Sequence, residues 1–257
     1  MPKINVNGSQ INYLYFGNGI KSKPVVIFIH GAAQSSGSWE YQYNLCRSYK
    51  RFNSIVPDLP GHGESDGTGF TSIQEYSDFL NDFINKLKLR EIILVGHSMG
   101  GRISQVFILN HPENVIGTVL AGTGARIRVA KATLENAKNN FEKFCELAAR
   151  NSFSQFATKE LREKFLMRLS GSSQMTCIND LTACNEFDVM EDISKINVPT
   201  LIIAGEDDIL APVKHSNNLY KKIPDSRLER IKGAGHFMIQ EKPDEFNQLL
   251  TSFLNFL

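Results

Sequence analysis

Ser98 stands in Gly96-His97-Ser98-Met99-Gly100, the G-x-S-x-G pattern. In that pattern a serine sits on a strained strand-to-helix turn with its hydroxyl held clear of the sheet. The flanking chain agrees. Residues 92–95 are an apolar run that reads as a buried strand. Residues 102–109 read as a helix, whose N-terminus aims N–H groups and a positive dipole end at the turn. A turn this tight brings the two backbones so close that a Cβ at either flanking glycine would collide. Ser98 is therefore the candidate nucleophile. A serine hydroxyl is weak at its own pKa and needs an adjacent base, so the rest of the chain must supply one.

The elements that would position Ser98 alternate in kind. Residues 4–6 and 11–16 alternate in polarity around Asn7-Gly8, a hairpin signal. Residues 25–29 are all apolar, as in a parallel strand covered on both faces. A loop, 30–37, follows, then a helix expected from near Ser38 with Trp39, Tyr43 and Leu45. Residues 53–57 form another strand, ending in the Gly-rich loop 58–65. Ile73, Tyr76, Phe79, Leu80, Phe83, Ile84 and Leu87 recur at helical spacing and mark an amphipathic helix. Beyond the Ser98 turn, His111-Pro112 stops the helix and 115–121 reads as a strand. Strands alternating with helices predict a parallel sheet wrapped by helices, an α/β fold. Between 124 and 194 no strand is evident. Residues 131–150 read as one helix, with Leu134, Ala137, Phe141, Phe144 and Ala148 on one face. Residues 160–169 and 173–187 read as two more. The sheet resumes at 199–205. Pro212 then opens a helix at the first-turn position, where proline is tolerated. A last strand at 227–231 and a helix at 242–257 close the chain.

The 257 residues suffice for one large α/β domain with an insertion. Hydrophobic content of 42% and charged content of 21% are ordinary for a globular chain. A net charge of +1 gives no reason to expect a nucleic-acid partner or a basic membrane-surface patch. Cys46, Cys145, Cys177 and Cys184 form no C-x-x-C pair and read as buried thiols in a reducing compartment, so a cytoplasmic location is expected. The first residues lack the apolar stretch of a signal peptide, and no apolar run approaches a membrane span. No acidic or histidine cluster has metal spacing, and no G-x-G-x-x-G or Walker loop occurs. Neither a metal nor any other cofactor is expected. The partner is a small-molecule substrate. A homodimer is left open, because nothing in the sequence reads out oligomeric state.

Four separated motifs, taken in order, resemble the α/β-hydrolase superfamily over essentially the whole chain. They are His30-Gly31-Ala32-Ala33; Asp58-Leu59-Pro60-Gly61-His62-Gly63; Gly96-His97-Ser98-Met99-Gly100-Gly101; and the pair made by residues 205–212 with Gly235-His236. The resemblance points to the capped, esterase-like serine hydrolase branch. It implies a mostly parallel eight-stranded sheet flanked by helices, with an all-helical cap inserted after the sixth strand. Residues 1–123 and 195–257 would be the core domain, and 124–194 the cap. It also implies the order serine, acid, histidine. His236, in a short Gly-rich loop just after a strand, takes the place of the base. His97 adjoins Ser98, but the turn directs its side chain away from the hydroxyl. His30 reads as structural, and His62, His111 and His215 as loop or surface residues. The family pattern has the acid four residues before a proline, which selects Asp208 over Asp207 and leaves Asp207 as a turn carboxylate. Asp208 would hold His236 in the correct tautomer. The oxyanion of a tetrahedral intermediate needs two N–H donors. Met99, directly after the nucleophile, supplies one, and the loop after strand 25–29 the other, at Ala32 or alternatively Ala33. Loop 58–65 reads as a structural loop beside the pocket.

The reaction so implied is cleavage of an ester, thioester or lactone of a small molecule through an acyl-enzyme, most simply as a carboxylesterase. Other readings stay open. Ser98-Met99-Gly100-Gly101-Arg102 resembles the menaquinone-pathway synthase, a lyase that uses the same triad as a base. There Arg102, with Arg126 and Arg128, would bind a polyanionic substrate; the opposing reading makes Arg102 a solvated or salt-bridged helix residue. Ala33 is a further candidate for substrate contact. Carbon–carbon bond hydrolases are also related, but their Gly-Pro-Gly oxyanion loop is absent here. A ligand receptor with a slow triad is a third class. Phe141, Phe144, Phe153, Phe156, Phe165 and Met167 could line a pocket, but a small helical insertion needs a core of its own, and that reading takes most of them.

Overall fold

The computed structural model describes residues 2–17, 23–43 and 51–257. Eight strands form one sheet: β1 (Lys3–Val6), β2 (Ser9–Phe16), β3 (Val25–Ile29), β4 (Asn53–Pro57), β5 (Ile92–His97), β6 (Val115–Ala121), β7 (Thr200–Gly205) and β8 (Ser226–Ile231). Their spatial order is β1-β2-β4-β3-β5-β6-β7-β8. Strands β1 and β2 pair antiparallel, as do β2 and β4, and every other neighbour pair is parallel. The first hairpin turns at Asn7 and Gly8, both at positive φ (51° and 91°), with Val6 opposite Ser9. This is the backbone that Asn-Gly favours in a two-residue hairpin.

The helices are α1 (Ile73–Leu87), α2 (Met99–Asn110), α3 (Lys131–Asn139), α4 (Phe141–Asn151), α5 (Lys159–Ser170), α6 (Gln174–Glu186), α7 (Val213–Lys222), α8 (Met238–Glu241) and α9 (Pro243–Phe256). The side-chain period of two in a strand sorts β3 between two cores. Val25, Ile27 and Ile29 pack with Tyr76 and Phe83 of α1 and Ile103 and Phe107 of α2. Val26 and Phe28 face the other way, toward Trp39 and Phe246, Leu250 and Phe253 of α9. Both faces of the central strands are thus covered, which is why their sequences are apolar throughout. Each such side chain contributes about 1.5–3 kcal/mol when fully buried.

Helices α3–α6 occupy the interval between β6 and β7. The expected single helix over 131–150 is two helices. Asn140 leaves the helical region (φ −152°, ψ 75°) and its side chain caps α4 by accepting from Lys143 N–H. Asparagine competes for local backbone donors in this way and favours a cap over a helix interior. Phe144, Phe153 and Phe165 are buried, whereas Phe156 and Met167 are 67% and 71% exposed. Half of the predicted apolar set is therefore buried, and Phe141 is partly so. Pro212 precedes the first helical residue of α7 and does not occupy its first turn. The expected helix near Ser38 begins as a 3₁₀ turn, Ser36–Trp39, and is helical through Tyr43; the expected Leu45 and Cys46 lie outside the described residues. Cys145, Cys177 and Cys184 are buried free thiols. Among the described residues no helix is long and apolar enough to cross a membrane.

Candidate active site

The loops that follow β3, β5, β7 and β8 converge at the carboxyl ends of the parallel strands, where ligands of open α/β sheets bind. Ser98 is the residue between β5 and α2. Its φ of 53° and ψ of −113° lie outside every region that ordinary residues populate, a distortion that costs about 1–3 kcal/mol and must be held by its surroundings. The surroundings are visible. A Cβ on Gly96 would lie 2.4 Å from Gly100 O, and one on Gly100 would lie 2.1 Å from Ile29 O. Strand, turn and helix can meet only because both positions are glycine. Ser98 N–H donates to Ala121 O at 2.9 Å, and Ser98 O accepts from Gly101 N at 3.0 Å. The turn is tied to β6 on one side and to its own helix on the other.

His236 follows β8 and Asp208 follows β7. His236 Nδ1 lies 2.8 Å from Asp208 Oδ2. The other carboxylate oxygen accepts from Leu210 N and Ala211 N, both at 2.8 Å. An ionised carboxylate only accepts, so Nδ1 carries a proton. Burial alone would raise the pKa of Asp208. The facing His236, their hydrogen bond and the two backbone donors outweigh it and hold the carboxyl below its ordinary value. Asp207 is exposed and Asp208 is 4% exposed, so the alternative acid faces solvent.

His236 lies beside the residue that follows the backbone anchor of Ser98. A Cβ on Gly122 would lie 3.4 Å from His236 Cε1, and Gly122 directly follows the carbonyl that holds Ser98 N–H. Among the described residues Ser98 Oγ makes no hydrogen bond to His236; such contacts tighten when substrate binds. His97 turns away as expected. Its Nε2–H donates to His236 O at 2.8 Å, which ties the loop after β8 to β5. Burial is the main cause that lowers its pKa to about 3, with His236 adding to it, so the ring is neutral. His30 is structural. Its Nε2 accepts from Leu59 N at 3.1 Å, and burial lowers its pKa to about 4.

The loop after β3 abuts the turn: a Cβ on Gly31 would lie 3.3 Å from Ser98 Cβ. Ala32 is half-buried and Ala33 buried. The Ala33 N–H donates to Asp180 Oδ2 at 2.7 Å, so that donor is already engaged. Ala32 N–H has no acceptor among the described residues. Met99 N–H opens α2, where the first four N–H groups have no partner within the helix.

Three sequence expectations need correction. Arg102 is neither solvated, salt-bridged nor free for substrate. It is 7% exposed, donates to the carbonyls of Cys184 and Ile127, and stacks over Phe187. Its helical position looks outward from α2 only until the helical segment covers it. His62 is no surface residue. It is 4% exposed, with Nε2 2.7 Å from Asp180 Oδ2 and Nδ1 3.0 Å from Pro60 O. Ala33, offered as a substrate contact, is 6% exposed and bonded to Asp180. Asp180 and Tyr76 escaped the sequence reading altogether as polar partners. One signal was present: Cys177, Asp180 and Cys184 share the buried face of α6, and a carboxylate there needs a partner. Loop 58–65 is structural as read. Asp58 accepts from Ser36 N, Asn12 Nδ2 and Glu64 N. Among the described residues no group of three or more His, Cys, Asp or Glu side chains could hold a metal ion.

The sequence profile of the Alpha/beta hydrolase family matches residues 26–249, and the chain belongs to that family. A protein of Bacillus subtilis (strain 168), provisionally named a 2-succinyl-6-hydroxy-2,4-cyclohexadiene-1-carboxylate synthase, is 25% identical over 99% of both chains. Two solved structures are similar throughout. The esterase EaEST from Exiguobacterium antarcticum superposes with a TM-score of 0.90 at 26% identity, covering 98% of each chain. Est816, described as an N-acyl homoserine lactone degrading enzyme, superposes with a TM-score of 0.88 at 27% identity, covering 98% of this chain and 100% of its own.

Proposed function

We propose that the protein is a serine hydrolase cleaving an ester, thioester or lactone of a small molecule, with Ser98 as nucleophile, His236 as base and Asp208 as its orienting acid. One observation carries the reading: Ser98, at the carboxyl end of β5, is held at φ 53°, ψ −113°, and strain of this kind persists where a mechanism uses it. In the reaction His236 Nε2 takes the Ser98 Oγ proton as Oγ attacks the carbonyl carbon. The oxyanion rests on the N–H groups of Ala32 and Met99. The intermediate collapses, the C–O or C–S bond breaks, and His236 returns the proton to the leaving alkoxide or thiolate. Water, deprotonated by His236, then releases the acid from Ser98. Asp208 stabilises the imidazolium without itself becoming protonated. Helices α3–α6 would act as the cap that selects the substrate, and the lactone-degrading and esterase relatives support that substrate range. The test is turnover of p-nitrophenyl acetate or butyrate. The wild type should hydrolyse them and Ser98→Ala should not; undiminished activity in that variant overturns the assignment.

The Bacillus subtilis relative supports a second reading, elimination from a polyanionic substrate with the same triad as base. It would need free cations. Arg102 is bonded to carbonyls, and Arg126 and Arg128 lie 3.3 and 3.6 Å from Asp188. A wild type inert toward esters, thioesters and lactones but active in eliminating a carboxylate from such a substrate would install the second reading.

A further inference from the structure

Asp180 is a buried carboxylate with 0% exposure, on α6, far along the chain from everything it touches. Its Oδ2 accepts from Ala33 N–H at 2.7 Å and from His62 Nε2–H at 2.7 Å; its Oδ1 accepts from Tyr76 OH. Tyr76 OH in turn accepts from Phe70 N at 3.0 Å. Three donors from three different elements thus meet one carboxylate.

The Ala33 contact falls on a peculiar residue. Ala33 has a φ of 54°, one of four non-glycine residues at positive φ among those described. Gln34 N–H donates to Gly31 O at 3.3 Å, closing a four-residue turn in which Ala33 is third. Positive φ at that place defines a type II turn and calls for glycine. An alanine stays there only if something holds it. The Asp180 carboxylate holds the N–H of the peptide that would otherwise rotate. Were Ala33 to relax to negative φ, the dihedrals on both sides of the Ala32–Ala33 peptide would have to change, and the loop segment that carries Ala32 N–H would shift with them.

We propose, on the serine-hydrolase reading above, that Asp180 is a positioning residue for the oxyanion loop: by gripping Ala33 N–H it locks the turn that presents Ala32 N–H to the reacting carbonyl. It touches no reacting atom. The grip makes the hole depend on the helical segment, because α6 must be seated for the carboxylate to reach Ala33. His62 and Tyr76 supply the cation and the hydroxyl that let a carboxylate sit there without water. The His62–Asp180 pair is no second base. Both ring nitrogens already face acceptors, Asp180 on one side and the Pro60 carbonyl on the other.

The test is Asp180→Leu, which removes every acceptor at near-constant volume, with and without Ala33→Gly, which removes the Cβ that makes positive φ unfavourable. Rates on p-nitrophenyl butyrate are taken per serine titratable by a fluorophosphonate. The single variant should lose about 10- to 100-fold in kcat, less than deletion of an oxyanion donor at its upper range, with KM little changed. The double variant should recover most of that loss. An unchanged kcat overturns the proposal, and so does a loss that Ala33→Gly leaves untouched, since a merely structural role would not be rescued there. If Asp180→Leu does not fold, the wild type decides. Its Ala33 amide should resonate far downfield and exchange slowly in NMR; a mid-range, fast-exchanging amide overturns the grip. That arm is independent of catalysis. A wild type without Ser98-dependent turnover would sink the serine-hydrolase reading and not this contact.

Discussion

Two histidine–carboxylate pairs lie buried in this molecule, and they are nearly identical up close. His236 and Asp208 are 2.8 Å apart and His62 and Asp180 2.7 Å apart, with all four residues no more than 6% exposed. What differs is the second nitrogen of each ring. His236 binds its carboxylate through Nδ1, and its Nε2 has no hydrogen-bond partner among the described residues. His62 binds through Nε2, and its Nδ1 faces the Pro60 carbonyl. A ring between two acceptors must carry both protons. His62, held between two acceptors, serves the carboxylate it faces, whereas His236 has one ring nitrogen without a partner among the described residues, the one the proposed mechanism uses. The motif of a histidine beside an acid defines neither role; the remaining partner does.

The comparison breaks most sharply at Asp208. Asp208→Asn should lower kcat on p-nitrophenyl butyrate by about 10⁴-fold, the loss that follows when the base is left in the wrong tautomer. The melting temperature should change far less than the rate. A loss under tenfold would mean that Asp208 does not orient the base.

The next largest effect belongs to the other pair and concerns stability. His62→Gln leaves Asp180 buried without its cation, which costs about 3–5 kcal/mol. For a chain of this size that lowers Tm by about 10 °C, readable by thermal unfolding. Its pH dependence has a definite sign. Burial would lower the His62 pKa, but Asp180, the hydrogen bond to it, the Pro60 carbonyl and Asp58 together raise it above the ordinary value. His30 also faces this ring, with centroids 4.8 Å apart, and stays neutral. A raised native pKa adds stability that is complete below the unfolded value, about 6.5, and is lost as pH rises through the native one. The Tm gap between wild type and variant should be widest below about pH 6.5 and shrink as the pH rises above it. A gap that widens with pH would show that His62 is not the cation.

Near neutrality the smallest effect comes from the neutral histidines that frame the site, and it grows as the pH falls. His30 and His97 have native pKa values lowered to about 4 and about 3, chiefly by burial. Below about pH 6.5 the unfolded chain binds protons on both that the native state refuses, so each adds a slope of about 1.4 kcal/mol per pH unit to the acid loss of stability. Denaturant titrations at a series of pH values should show a shallower acid limb in His97→Gln; an unaltered limb would place the His97 titration elsewhere.

How much of this was legible in the sequence depends on how far apart the partners lie along the chain. The Ser98 turn is local, and its glycines, strand and helix all fall within a short stretch. The same holds for the Asn7-Gly8 hairpin and for Asp208, whose carboxylate binds the backbone two and three residues ahead. The apolar runs of β3, β5 and β7 follow from covering both faces of a parallel sheet, so the α/β architecture was readable from pattern alone. The break at Asn140 was also local, yet an apolar face continuing across it masked the cap.

What the tertiary structure alone decided involves partners that no local rule connects. Asp180 is 147 residues from Ala33 and 118 from His62, and Arg102 is 82 from the Cys184 carbonyl it binds. Side-chain type and spacing determined where a nucleophile could stand and which strands would carry it. Packing of the helical segment onto the sheet determined which charges are buried and paired, because the cost of dehydrating a charge depends on what covers it. That is why the candidate nucleophile could be found in the sequence, and why Arg102, His62 and Asp180 acquired their roles only in three dimensions.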